Sequence, residues 1–241
     1  MNKDSQGGLF FLGLFVAVGL TMAGYFVGQT LYNAKVAINT AEAKGLAERR
    51  VKADRANWQI VIKVAGEDRA EIPGLYEQAE QHQQAIVGLL KKSGFDDGEI
   101  KLGVLDYGYL EYRDDKQLLV DQVHSLIGVI SVETEKVELV STVRSKVNKL
   151  IAQGIDIENR PPAYRFTKLN QIKPEMLREA TTNARLAANE FADNAGVKVG
   201  GIRSALQGSF YIRDAGEQYG DTGKIEKDVR VVTTITFYLT E

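Results

Sequence analysis

From Ser5 to Ala34 the chain carries no charged residue, and the run "LFFLGLFVAVGLTMAGYFVGQTLY" stays apolar from Leu9 to about Leu31. This feature constrains the fold most. About 20 consecutive apolar residues are enough to cross a bilayer core as a helix. In lipid a helix also satisfies every backbone polar group within the segment itself. A secretory signal has a shorter apolar region, about 7–15 residues, ahead of a small-x-small cleavage site. The run is therefore read as an uncleaved transmembrane anchor over residues 9–31, behind a short tail of residues 1–8. Cleavage near "TMAG" at Thr21–Gly24 is the alternative. Lys3 and Asp4 cancel, so flanking charge gives only a faint orientation cue.

Gly13, Ala17, Thr21, Gly24 and Gly28 follow one another at intervals of 4, 4, 3 and 4. At about 100° per residue they form one narrow stripe along a helix. Small residues in such a stripe let membrane helices approach closely, which predicts a helix–helix interface. Glycine is also simply common in membrane helices. Both readings stand on the sequence.

Beyond a polar stalk, residues 32–43, the patterning changes to that of a globular domain over residues 44–241. Ala56, Trp58, Ile60, Ile62 and Val64 alternate with polar neighbours, the signature of a half-buried strand that stops at Gly66. Ile72, Leu75, Ala79, His82, Ile86 and Leu89/Leu90 recur every three or four residues, a helix closed by Lys91, Lys92 and Gly94. Strands follow over Ile100–Arg113 and Val123–Ser131. A second helix is predicted from near Thr134 to the Gly154 stop, with Val140, Val143, Val147 and Leu150/Ile151 inward.

The segment "RPPAYRFTKLNQIKP", Arg160–Pro174, holds three of the chain's four prolines. Pro161 and Pro162 favour extended backbone. "AYRFTKL" alternates as a strand. Pro174 is placed at the first position of a third helix, where its missing N–H costs nothing. That helix is expected from about Pro174 to Ala195, with Leu177, Ala180, Ala184, Ala187/Ala188 and Phe191 inside. "VKVGGIRSALQGSFYIRD" reads as one strand or a bent pair. The last strand alternates clearly at Val229, Val231, Ile235, Phe237 and Leu239. Together these elements predict an α+β fold: mostly antiparallel sheet with about three packed helices, preceded by one N-terminal transmembrane helix.

Net charge is −2, so no global basic field favours nucleic acid. Cysteine is absent, which excludes disulfides, thiolate nucleophiles and zinc–thiolate sites. No HExxH or G-x-S-x-G pattern occurs. His82 is expected buried and satisfied on its helix, and His124 lies near Asp121. Asp214, Glu217 and Asp221 share a Gly-bearing loop without EF-hand spacing, and read as solvated turn residues. The cluster Arg49, Arg50, Lys52 and Arg55 reads as a polar edge. No catalytic, cofactor or metal site is assigned. The one candidate for anion contact is the set Arg160, Arg165 and Lys168.

Three segments in order, "GLAERRVKADRANWQIVIKVAGED", "NRPPAYRFTKLNQIKPEMLREATTNARLAANEFADNAG" and "IRSALQGSFYIRD…VRVVTTITFYL", resemble the SIMPL-domain family of YggE-like bacterial periplasmic proteins. The resemblance covers about Ala37 to Glu241. It implies an α+β fold, export across the inner membrane, no established catalytic residues, and in some members assembly into large rings. It also implies a loose link to oxidative and envelope stress. The resulting expectation is a non-enzymatic protein of the bacterial inner membrane, single-pass, with its soluble domain in the periplasm and itself as partner. Nucleic acid and cofactors have no part in it. The alternative is an enzyme or binder of a small anion, using a cleft near Arg160–Asn170.

Overall fold

A computed structural model of the chain describes residues 3–36 and 39–240. Met1 and Asn2 of the expected tail, residues 37 and 38 of the expected stalk, and Glu241 lie outside the described residues. The fold is α+β with antiparallel sheets. It divides into two compact units: Met1–Leu46 with Arg178–Gly208 and Val232–Glu241, and Ala47–Leu177 with Ser209–Val231.

Helix α1 (Lys3–Val36) contains the apolar run and outlasts the predicted anchor at both ends. Strand β1 (Thr40–Lys52) then begins at once, so helix and strand take up most of the expected stalk. The physical reason is the alternation of Ala43, Lys44, Gly45, Leu46 and Ala47, which the polar composition masks. Ala43 and Ala47 are both buried.

The larger unit is built on a five-stranded sheet of order β3-β4-β2-β5, with β6 also pairing β2. Its strands are β2 (Arg55–Gly66), β3 (Ile100–Arg113), β4 (Leu119–Thr134), β5 (Ile157–Asn159) and β6 (Ala163–Arg165). The alternation read in β2 places Ala56, Trp58, Ile60, Ile62 and Val64 in the core. β4 joins them through Leu126, Ile130 and Val132, and pairs β2 from Ala56↔Thr134 to Gly66↔His124. Two helices add their buried stripes to this core: α2 (Ile72–Lys92) with Leu75, Ala79, Ile86 and Leu90, and α3 (Val137–Asn148) with Val140, Val143 and Val147. Trp58 is fully buried, and its indole N–H donates to Asn159 Oδ1 at 2.8 Å, which meets the one polar demand of that side chain.

Helix α3 starts three residues later than Thr134 predicts. Thr134 is still paired with Ala56, and its Oγ1 accepts the Lys136 N–H at 2.9 Å, so it ends the strand rather than capping the helix. One 3-10 turn, Ile151–Gln153, then leads to Gly154, whose φ of 86° is the left-handed stop that glycine allows.

The predicted strand "AYRFTKL" is cut to β6. Asp54 diverts the chain: its carboxylate accepts the Thr167 N–H at 2.6 Å and the Thr167 hydroxyl at 2.7 Å, while its own N–H donates to Arg165 O at 3.0 Å. Helix α4 (Leu169–Asn194) therefore starts early, and Pro174 lies inside it rather than at its first position. Only one i→i−4 bond is lost so near the start, a cost that the Asp54 clamp helps offset. Burial raises the Asp54 carboxyl pKa, but the Thr167 hydrogen bonds and nearby Lys168 outweigh it and hold the pKa below the usual value. Asp54→Ala is expected to cost about 2 kcal/mol, seen as a lower midpoint in chemical denaturation. The folded pKa is depressed, so this contribution is present above the unfolded pKa near 3.8 and is lost as pH falls through the folded value.

A four-stranded sheet has the order β1-β9-β7, in which β8 also pairs β9; the smaller unit contains β7, parts of β1 and β9, and α4 from Arg178 onward. These strands are β7 (Lys198–Gln207), β8 (Tyr211–Asp214) and β9 (Glu226–Thr240). The buried row of α4 is Met176, Ala180, Ala184, Ala188 and Ala192, whereas Leu177 is half-buried and Phe191 is exposed. Small side chains take the inner face because the β1 backbone comes so close. Val229, Val231, Ile235 and Phe237 of β9 are buried as read, and Lys227 and Thr233 share their face.

Candidate functional site

Helix α1 has one stretch, Phe11–Tyr32, long and apolar enough to cross a membrane, with a mean hydropathy of 1.9 and none of it buried. Gly13, Ala17, Thr21, Gly24 and Gly28 are all exposed along it. A Cβ added at Gly13, Gly24 or Gly28 would meet nothing within 4 Å, so no described residue covers the stripe there. Thr21 donates its hydroxyl to Ala17 O at 2.7 Å, which satisfies the polar group within the helix.

A second uncovered surface lies on the β3–β4 hairpin. β3 is the end strand of its sheet, so one backbone edge has no strand partner among the described residues. Leu102, Val104, Tyr107, Tyr109, Leu110 and Tyr112 are all exposed, and Val104 reaches 83 %. The tip is well formed: Asp114 accepts the N–H groups of Lys116 and Leu118 at 2.9 and 2.8 Å, and Arg113 donates to Gln117 O at 3.0 Å. Asp114 thus makes the turn rather than merely decorating it.

His82 departs from expectation. It is half-buried with an enclosed Nδ1 that has no partner among the described residues, and the neighbouring Gln83 takes the inward position beside Gly128. His124 is buried: its Nδ1 meets Tyr107 Oη at 2.7 Å and its ring stacks on Tyr109 with centroids 4.9 Å apart. Tyr109 in turn donates to Glu111 Oε1 at 2.6 Å, which raises the phenol pKa and lowers that of the carboxyl. The register that opposes Tyr109 to His124 was the missing signal.

The basic cluster is an ion-pair ladder. Arg49 meets Glu175 at 2.6 Å, Arg50 meets Asp228 at 2.8 Å, Lys52 meets Glu138 at 2.7 Å and Arg55 meets Glu135 at 3.0 Å. Mostly exposed, these pairs add little stability each. Arg160, Arg165 and Lys168 share no hydrogen-bond or ion-pair partner among the described residues. Arg160 donates to Glu158 at 3.0 Å and to Gln59 Oε1 at 3.2 Å. Lys168 lies 3.8 Å from Asp54, and Arg165 stands opposite Arg55 in the β2–β6 pairing.

The acidic loop also differs from its solvated reading. Asp214 is buried and ion-paired with the fully buried Lys227, and it accepts the N–H groups of Gly223 and Lys224 at 2.7 and 3.1 Å. Glu217 pairs with Lys224 at 2.7 Å, and the Asp221 backbone oxygen accepts from Lys227 at 2.8 Å. No group of three or more His, Asp or Glu side chains is arranged to hold a metal among the described residues.

Beside this loop, α3 and the Pro161–Pro162 segment line an open recess of about 430 Å³. Tyr164 and Arg144 face it. Burial raises the Tyr164 phenol pKa, and Arg144 opposes the shift, so the phenol remains a proton donor near neutral pH.

The model of one protein family, described as "SIMPL: Protein of unknown function (DUF541)", matches residues 42–237. No curated protein matches the chain. One similar solved structure is of a candidate aminohydrolase from methicillin-resistant Staphylococcus aureus. It is 11 % identical over 59 % of this chain, and this chain spans 39 % of that one, with a TM-score of 0.27. That likeness is too weak to transfer either fold or activity.

Proposed function

The chain belongs to the SIMPL family, and on that premise we propose that it is a non-catalytic, membrane-anchored domain of the bacterial periplasm that assembles with copies of itself into a scaffold. The observation that carries this reading is the open edge of β3. Natural sheets guard such edges with charges, prolines or bulges, because a free row of N–H and C=O groups invites another strand. Here register shifts fall near the two ends of β3, between Leu102 and Leu105 and between Tyr112 and Arg113. From Leu105 to Tyr112 the edge is regular and carries exposed Tyr107, Tyr109, Leu110 and Tyr112. A second copy, offering the same edge and the same aromatic side chains, would bury them and satisfy the backbone groups. The α1 stripe supports contact within the membrane in the same assembly. The family resemblance points such a scaffold toward envelope and oxidative stress.

The test is the mass of the full-length protein in detergent, measured by light scattering. The native chain is expected to run as an oligomer. Val104→Lys combined with Leu110→Lys should shift it toward monomer, and Gly24→Leu with Gly28→Leu should weaken it further. A native chain that is monomeric across its working concentration range sinks the reading. Unchanged mass in the lysine variant removes the edge from it.

A further inference from the structure

We propose that the open recess between α3 and the Pro161–Pro162 segment binds a small organic carboxylate, its acid group held by Arg144 and the Tyr164 hydroxyl. Three observations converge there. First, Arg144 is half-buried and has no carboxylate partner among the described residues. Among the described residues its side chain makes one hydrogen bond, from Nη2 to Asn159 O at 3.3 Å, and its enclosed Nε has no acceptor. Cations withdrawn from water are ordinarily paired, as the neighbouring Lys227 is.

Second, Tyr164 is only 6 % exposed, yet its hydroxyl makes no hydrogen bond among the described residues. It is not among the sealed polar atoms, so its remaining access to solvent includes the oxygen. A buried tyrosine normally finds a partner for that group. Third, Asn148 lies one turn beyond Arg144 on α3. Asn159 Nδ2 donates to Asn148 Oδ1 at 2.7 Å, which fixes the amide and leaves Asn148 Nδ2 as a free donor. Ser145 adds a hydroxyl to the same lining.

The ligand class follows from this inventory. Arg144 is the one formal charge among the lining residues, which suits a monoanion better than a doubly charged phosphate. A planar guanidinium and a phenol match the two oxygens of a carboxylate. Pro161, the buried Pro162 and the Tyr164 ring form a stiff apolar wall for the body of the molecule. At about 430 Å³ the recess is large enough for one small organic acid. The site is independent of self-assembly.

The test uses 4-fluorobenzoate as the probe, with fluorine NMR line broadening on the full-length protein in detergent, and 4-fluorobenzamide as the neutral isostere. The acid should broaden and the amide should not. Tyr164→Phe should weaken binding about tenfold. Arg144→Leu should abolish it, while Arg144→Lys should retain part. Removing an unpartnered hydroxyl leaves the core intact, so Tyr164→Phe decides the matter even where the Arg144 variants fold poorly. No broadening by the native chain at millimolar probe overturns the proposal. So does equal binding of acid and amide, or native affinity in Tyr164→Phe.

Discussion

Gly45→Ala is expected to be among the most damaging single methyl additions in the chain. A Cβ at position 45 would overlap the Ala180 carbonyl oxygen and the Ala184 amide nitrogen, and would sit 2.9 Å from the Ala180 carbonyl carbon. All three are backbone atoms of α4, so no rotamer change can make room. The contact is tight by construction: Ala180, Ala184 and Ala188 are fully buried, and Asn183 Nδ2 donates to Leu46 O at 2.8 Å beside it. The core of this unit is small, formed by Ala43, Ala184, Ala188, Ile235 and Phe237. It has little else to hold α4 in place once helix and strand are pried apart. Overpacking against side chains costs about 1–3 kcal/mol, and backbone obstruction should reach about 4 kcal/mol. For a chain of this size that lowers the thermal midpoint by about 10 °C. Gly45→Ser should behave alike, whereas Gly201→Ala, in open space on β7, should be nearly silent. A Gly45→Ala midpoint within 2 °C of the native chain would disprove the close approach.

The same contact marks where sequence reasoning reached its limit. The alanine richness of α4 was legible as a sign of close packing, but the residue it packs against was not. Gly45 looks like one more small residue in a polar stalk until β1 is seen beneath α4. Periodicity placed β2, α2, the inner face of α3 and the apolar face of β9, because each obeys a single period over many residues. It misplaced the start of α4, because a side chain more than a hundred positions away, Asp54, ends β6 and begins the helix. It put His82 inward in place of Gln83, since a one-residue rotation on a helix is below the resolution of an apolar count. The recess with Arg144 and Tyr164 was invisible for the same reason. Neither residue belongs to a motif, and they meet only through the fold of α3 and β6. In the anion set read from the sequence, Arg160 pairs with Glu158 and Lys168 with Asp54, partners that spacing along the chain does not reveal.

Lys227→Met is expected to carry the other large effect, and one that depends on pH. Lys227 lies on the buried face of β9 in line with Val229 and Val231, a position that alternation assigns to an apolar side chain. It is tolerated there because its ammonium meets Asp214 and donates to Asp221 O at 2.8 Å. Methionine matches the length and fills the space, so little packing is lost. What remains is a buried carboxylate without its cation, supported only by the Gly223 and Lys224 N–H groups. Breaking such a pair from one side costs about 3–5 kcal/mol. Lys227→Met with Asp214→Asn should recover much of that loss, since no charge is then stranded. In the native chain, burial pushes the Asp214 pKa up, but Lys227 and the two N–H groups outweigh it and hold the carboxyl below its usual value. That native contribution is therefore full above the unfolded pKa near 3.8 and fades as pH falls through the folded value. In Lys227→Met the cation is gone and burial dominates, so the folded pKa rises above the unfolded one and protonation relieves the penalty. The gap in thermal midpoint between native and Lys227→Met should accordingly be wide at pH 7 and narrower at pH 5. A gap that stays constant or widens on acidification would show that Asp214 is not stranded, and that the pair contributes by shape rather than by charge.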